Sequence, residues 1–113
     1  MFKIQPQMIN PVGQNPDKYT EILKLHRKLK EANIPHDLHK SFDGWQICYP
    51  SAKDCKCSVI EHSFSYGNED NRLEIMGLLT EEEQKHNCVV GWLTAVNVFR
   101  RIKKDYKREK TNE

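Results

Sequence analysis

Cys55-x-Cys57, with His36-x-x-His39 upstream, brings together the residue types that bind zinc. Zinc takes four nitrogen or sulfur ligands in a tetrahedron. The spacing opposes such a site. An i, i+3 pair on a flat strand points to opposite faces, so His36 and His39 reach one metal only through a bulge or turn. Cys-x-Cys is also not the two-residue-spaced knuckle of standard zinc sites. The plainer reading makes Cys48, Cys57 and Cys88 small core residues and Cys55 an exposed loop thiol. No metal site and no cofactor is expected. Glu61-His62-Ser63 sets an acid, a base and a nucleophile side by side. On a strand Glu61 and His62 face opposite ways, so the carboxylate cannot orient the imidazole next to it. His62 can meet Cys48 across neighbouring strands, yet nothing marks Cys48 as an activated thiolate. No catalytic residue is assigned, because no nucleophile elbow or comparable signature is present.

The segment from His62 to Asn71 is the best candidate for ligand contact. His62, Ser63, Ser65, Tyr66 and Asn68 offer hydroxyls, an amide and a π-face at the end of a strand, around the flexible Gly67. Such a loop suits a polar ligand or a protein partner. It is equally the composition of an ordinary hairpin loop, in which Gly and Asn supply turn geometry. A second candidate is the basic run. From Arg100 to Lys110 there are seven basic and two acidic residues. Arg100, Arg101, Lys104, Lys107 and Arg108 are the candidate phosphate contacts for nucleic acid. Cations at a helix C-terminus also simply oppose the macrodipole, and aromatic interleaving is limited to Tyr106. From Glu69 to Glu83 six acidic residues face only Arg72. They lack the alternating ligand order of a calcium loop and read as a solvated acidic face. Trp45 and Trp92 read as core anchors.

The elements that must position these residues follow from periodicity. Pro6, Pro11, Pro16 and Gly13 make residues 1–16 an irregular arm, with Asp17 as a helix cap after it. Tyr19, Ile22, Leu23, His26, Leu29 and Ala32 recur at helical steps, while Lys24, Arg27, Lys28 and Lys30 face water. Asn33 and Pro35 end this helix. Asp43-Gly44 is a turn pair between two strands, the second carrying Trp45, Ile47 and Tyr49 in alternation. Cys57 to Phe64 reads as the next strand, and Leu73 to Leu79 as a fourth. Thr80 with Glu83 matches a capping box for a short helix through His86. Val89 to Leu93 can form a further brief strand. Thr94 caps the last helix, with core stripe Ala95, Val98, Phe99, Ile102 and Tyr106. The expected fold is an α+β two-layer sandwich: a three- to four-stranded antiparallel meander flanked by an N-terminal and a C-terminal helix. It spans residues 17–108 as one domain, followed by a charged tail over 109–113.

Totals support that reading. A chain of 113 residues is the size of one domain. With 37% hydrophobic and 30% charged residues the core is thin, which favours oligomerisation, a homodimer being the simplest. A net charge of +2 gives no global argument for nucleic acid or membrane, although the charges form separate patches. No stretch is long enough to span a bilayer, and the opening residues lack a signal peptide's apolar run. A cytoplasmic protein with reduced cysteines is therefore expected.

The strings Phe42-Asp43-Gly44-Trp45-Gln46-Ile47, Cys57-Ser58-Val59-Ile60-Glu61-His62-Ser63, Leu73-Glu74-Ile75-Met76-Gly77-Leu78-Leu79-Thr80 and Gly91-Trp92-Leu93-Thr94-Ala95 resemble short bacteriophage and prophage proteins of low-GC Gram-positive bacteria. The resemblance covers most of residues 17–108 and carries no catalytic motif, so it transfers no site residues. It implies a small accessory protein that binds a host protein, nucleic acid or a signalling molecule, inhibition of host defence being one such role. The sequence thus favours a non-enzymatic binding module whose partner is a protein or a small polar ligand. The alternatives are a nucleic-acid binder using basic helix faces, and a zinc- or thiol-dependent enzyme around Cys48, Cys55, Cys57 and His62.

Overall fold

A computed structural model describes residues 18–111. The arm expected over 1–16 and the capping role expected of Asp17 lie outside the described residues. In chain order the elements are α1 (Glu21–Glu31), β1 (Asp37–Ser41), β2 (Gly44–Pro50), β3 (Cys55–Glu61), β4 (Leu73–Met76), α2 (Glu81–Gln84), β5 (Val90–Leu93) and α3 (Ala95–Thr111), with a 3-10 turn at Asn68–Asp70 before β4. The strands form one antiparallel sheet in the order β1-β2-β3-β4-β5. The architecture is the expected α+β meander between two helices. It has five strands rather than three or four, because Val90–Leu93 pairs with β4.

Register explains why the sheet has one buried face. Leu38 pairs with Ile47, Ile47 with Val59, Val59 with Ile75 and Ile75 with Val90, so one aliphatic row crosses all five strands. A one-residue slip would turn that row to the opposite face. Along β3 the residues Cys57, Val59 and Glu61 point inward, and Lys56, Ser58 and Ile60 alternate with them. α1 and α3 pack side by side on the inner face. α1 contributes Ile22, Leu25 and Leu29, all fully buried, each worth roughly 1.5–3 kcal/mol of burial. Leu25 was not part of the expected stripe, while Ala32, which was, is exposed. The helix stops at Glu31 and Asn33 turns left-handed (φ 58°), which places Ala32 beyond the last turn. α3 buries Ala95, Val98, Ile102 and Asp105, with Phe99 and Tyr106 packed at the margin. It runs on through the first residues of the expected tail.

Three local differences matter for the site. Ser41 pairs with Gly44, so the first hairpin turns on Phe42-Asp43, one residue earlier than expected, with Phe42 left-handed (φ 53°). Gly44 is needed for close approach: a Cβ there would lie 2.0 Å from the Glu61 carbonyl oxygen. β3 ends at Glu61 instead of reaching Phe64, and β4 ends at Met76 because Gly77 (φ 97°) and Leu78 (φ 56°) turn the chain away. The capping box forms as expected, with the Glu83 amide donating to Thr80 Oγ1 and the Thr80 amide to Glu83 Oε1, although the helix ends at Gln84 rather than His86. No helix among the described residues is long and apolar enough to cross a membrane.

Candidate functional site

The β1–β2 turn, the end of β3, the start of β4, the end of β5 and the N-termini of α1 and α3 meet at one end of the sandwich. Two buried carboxylates tie this end together. Glu61 Oε1 accepts the Ile22 amide at 3.0 Å, and Glu21 Oε2 accepts the Ala95 amide at 2.7 Å. Each satisfies an orphan donor in the first turn of a helix. Glu61 Oε2 is buried with no hydrogen-bond partner, and burial pushes the carboxyl up to about 7. Asn71 clamps the start of α1 from the side. Its Oδ1 accepts the Thr20 amide at 3.1 Å and its Nδ2 donates to Thr20 Oγ1 at 2.6 Å.

Over this base the loop 62–71 is held by its own polar groups. Ser65 Oγ accepts the His62 amide at 3.0 Å and donates to the His62 carbonyl at 2.8 Å. The Phe64 amide donates to His62 Nδ1 at 3.1 Å, and Asn68 Nδ2 donates to the Ser65 carbonyl. The Ser63 amide donates to Asp43 Oδ1 at 2.9 Å, and Tyr19 Oη to Asp43 Oδ2 at 2.8 Å. Desolvation opposes ionisation of Asp43, but the Ser63 and Tyr19 hydrogen bonds outweigh it and hold the carboxyl at about 2. Burial and the Asp43 carboxylate lift the Tyr19 phenol to about 12.

What this framework presents to solvent is aromatic. Phe42 is 73% exposed, Phe64 71%, Tyr66 58% and Trp92 55%. Phe42 lies edge-on to both Phe64 (5.1 Å) and His62 (4.9 Å). Tyr66 and Trp92 stack with planes 6° apart and centroids 6.3 Å apart. Trp92 Nε1 donates to Asp70 Oδ2 at 3.0 Å, and the Tyr66 amide donates to Glu74 Oε1 at 2.9 Å. Gly91 lets Tyr66 lie against β5, since a Cβ there would be 2.5 Å from the Tyr66 Cβ. Trp92, expected in the core, is therefore a surface residue: it sits on an edge strand in a left-handed conformation (φ 59°) that carries its indole outward. Trp45 is half-buried beneath Lys40, whose Nζ is 4.5 Å from its ring centroid.

Of the residues expected to contact a ligand, His62 and Ser65 are buried and bonded to the loop itself, as is the half-buried Asn68. Tyr66 and Ser63 are exposed. Phe42, Phe64 and Trp92 complete the surface and were missed. Phe64 falls at the end of the expected third strand, and Phe42 stands just before the expected Asp43-Gly44 turn, which the structure shifts onto Phe42-Asp43.

The basic candidates divide. Arg101 is held by both Glu83 oxygens at 2.8 Å and by the Leu78 carbonyl, and Arg108 by Asp105 Oδ1 at 3.2 Å. The Arg101 guanidinium in turn holds Glu83 down at about 2. Arg100, Lys104 and Lys107 are exposed and in no ion pair among the described residues.

The zinc and thiol candidates do not gather at one point, although Cys48 and Cys55 are hydrogen-bonded neighbours. Cys57 points into the core, where burial pushes its thiol up to about 12. His36 bonds to His26 at 2.9 Å and to the Ile34 carbonyl. His39 joins a hydrogen-bonded row on the outer sheet face, Asp37–His39–Gln46–Ser58, with contacts of 2.6, 2.8 and 2.8 Å. Cys88, expected in the core, is exposed in the loop before β5. Among the described residues no three His, Cys, Asp or Glu side chains converge as a metal site requires. No known protein family, curated protein or solved structure matches this chain.

Proposed function

We propose that this protein is a non-enzymatic binding module whose contact surface is the aromatic end of the sheet. Its partner, on this reading, is a protein surface that carries arginine or lysine beside an apolar side chain. The observation that supports this is the exposure of Phe42, Phe64, Tyr66 and Trp92 on a framework that fixes their positions by hydrogen bonds and ring contacts. Phe, Tyr and Trp are enriched where proteins meet, and prearranged aromatics bind with little loss of side-chain entropy. Carboxylates lie beside the rings: Asp43 on the Ser63 amide, Asp70 on the Trp92 indole and Glu74 on the Tyr66 amide. A π-face beside a carboxylate suits a guanidinium or ammonium group and repels phosphate. A small polar ligand has less support, because His62, Ser65 and Asn68 use their polar atoms within the loop. The resemblance to phage accessory proteins suggests a host protein as the partner, a defence component among the candidates.

Selection of a displayed random-peptide library on the immobilised full chain tests this. Enriched peptides should carry Arg or Lys next to an apolar anchor. Their affinity should fall by about thirtyfold or more in Phe64→Ala/Trp92→Ala, as expected for anchor residues. Enrichment of acidic peptides, or binding indifferent to that double variant, would contradict the proposal. So would sedimentation of the chain as a dimer that the same variant dissociates, because the aromatic end would then be covered by a second copy.

A further inference from the structure

The helical layer separates charge far more strongly than the net value suggests. α1 and α3 together carry eleven Lys and Arg and four Asp and Glu, whereas the rest of the chain carries seven and twelve. Two of the four acids, Glu21 and Asp105, are buried, and Glu109 is engaged by Lys56 at 3.4 Å. The basic faces of the two helices merge at Phe99, whose ring has Lys28 Nζ of α1 at 5.8 Å and Lys103 Nζ of α3 at 5.7 Å. Arg27, Arg100, Lys104 and Lys107 extend this surface, in no ion pair among the described residues. Arg100, Lys103, Lys104 and Lys107 follow i, i+3, i+4, i+7 spacing and so share one side of α3 over about 10 Å.

We infer that the α1–α3 layer docks on the phosphate backbone of duplex nucleic acid without reading its sequence. Charge complementarity names a polyanion, and the side chains narrow it. Proteins that hold single strands stack bases on exposed aromatics. Here Phe99 and Tyr106 are half-buried and lie beneath lysines, Lys110 Nζ being 5.3 Å from the Tyr106 centroid. Base reading in a groove favours carboxamides and free arginine forks. The one carboxamide on the two helices, Asn97, accepts Arg101 Nε at 3.0 Å, and Arg101 is locked to Glu83. What is left is four lysines, Lys28, Lys103, Lys104 and Lys107, with Arg27 and Arg100 beside them and no carboxamide free to pair with a base edge, a set that suits backbone contacts. This surface is separate from the aromatic end and independent of the partner proposed there.

Fluorescence anisotropy of a labelled duplex of roughly 24 base pairs, titrated with the full chain between about 50 and 200 mM salt, provides the test. Contact with about five phosphates predicts a slope of log affinity on log salt of about −4 to −5. Arg100→Glu/Lys107→Glu, both exposed positions, should cost at least tenfold and flatten the slope by about two, with the thermal melt confirming the fold. Lys103→Gln/Lys104→Gln should act in the same direction, and Phe64→Ala/Trp92→Ala should leave binding unchanged. The inference is overturned by no binding at low salt, by salt-independent binding, or by a single strand of the same length binding as tightly. Binding to anionic phospholipid vesicles but not to the duplex overturns it as well.

Discussion

Glu61→Gln tests how the aromatic end is held in place. The Glu61 side chain is fully enclosed, with Oε1 on the Ile22 amide and Oε2 unpartnered. Burial raises its pKa from 4.5 to about 7, the Ile22 hydrogen bond opposes that rise, and the Glu21 carboxylate adds to it. Between those two values the folded chain binds more protons than the unfolded chain, so stability falls as pH rises through that window. The span corresponds to about 3 kcal/mol. Gln keeps the acceptor for Ile22 and never ionises. In urea titrations the variant should lie within about 1 kcal/mol of the parent at pH 5 and exceed it by about 2–3 kcal/mol at pH 8. His39, raised by its Asp37 and Gln46 hydrogen bonds, loses stabilising power over the same direction of pH. It is present in both chains and cancels in the difference. A difference between the two chains that stays constant from pH 5 to pH 8 would refute the claim that this carboxyl ionises inside the fold.

Other outcomes follow from the same contacts. Gly44→Ala, which drives a methyl into the Glu61 carbonyl, should cost at least about 3 kcal/mol in denaturant titration, and a loss below 1 kcal/mol would mean the strands can separate freely there. Tyr49→Phe removes a 2.8 Å bond to the buried Asp105 and should cost about 1 kcal/mol, whereas Asp105→Ala, which strands Tyr49 and Lys56 as well, should cost about 3. Glu83 is depressed to about 2 by Arg101, so its contribution is present above pH 4.5 and lost as pH falls towards 2; Glu83→Gln should weaken the chain at pH 7 and flatten its acid-melting curve over that range.

Much of the fold is legible in the sequence because it rests on local signals. The alternation Trp45-Ile47-Tyr49, the capping box at Thr80 and Glu83 and the Thr94 cap all form. The fifth strand was harder to see, since four residues with a central glycine carry little periodicity and become a strand only against β4. The polar residues from His62 to Asn68 mark the loop that carries Phe64 and Tyr66 on the surface, yet most of their polar groups hold the backbone in place. Tyr66 is legible as a surface ring, whereas exposure of the other three is decided by tertiary position: Phe42 by a turn one residue early, Phe64 by β3 ending at Glu61, Trp92 by a left-handed residue on an edge strand. Side-by-side packing of α1 and α3, which merges their basic faces at Phe99, is likewise a tertiary fact.

The central claim is that the aromatic end receives a basic protein partner. Its most direct test is an amide chemical-shift map of the labelled full chain, titrated with a peptide selected for binding. Saturable shifts should centre on Phe42, Ser63, Phe64, Tyr66, Asp70 and Trp92 and be absent from the Phe64→Ala/Trp92→Ala variant. Shifts centred instead on the Lys24–Lys30 and Arg100–Lys107 stretches, or on the outer sheet face at His39 and Ser58, would contradict it.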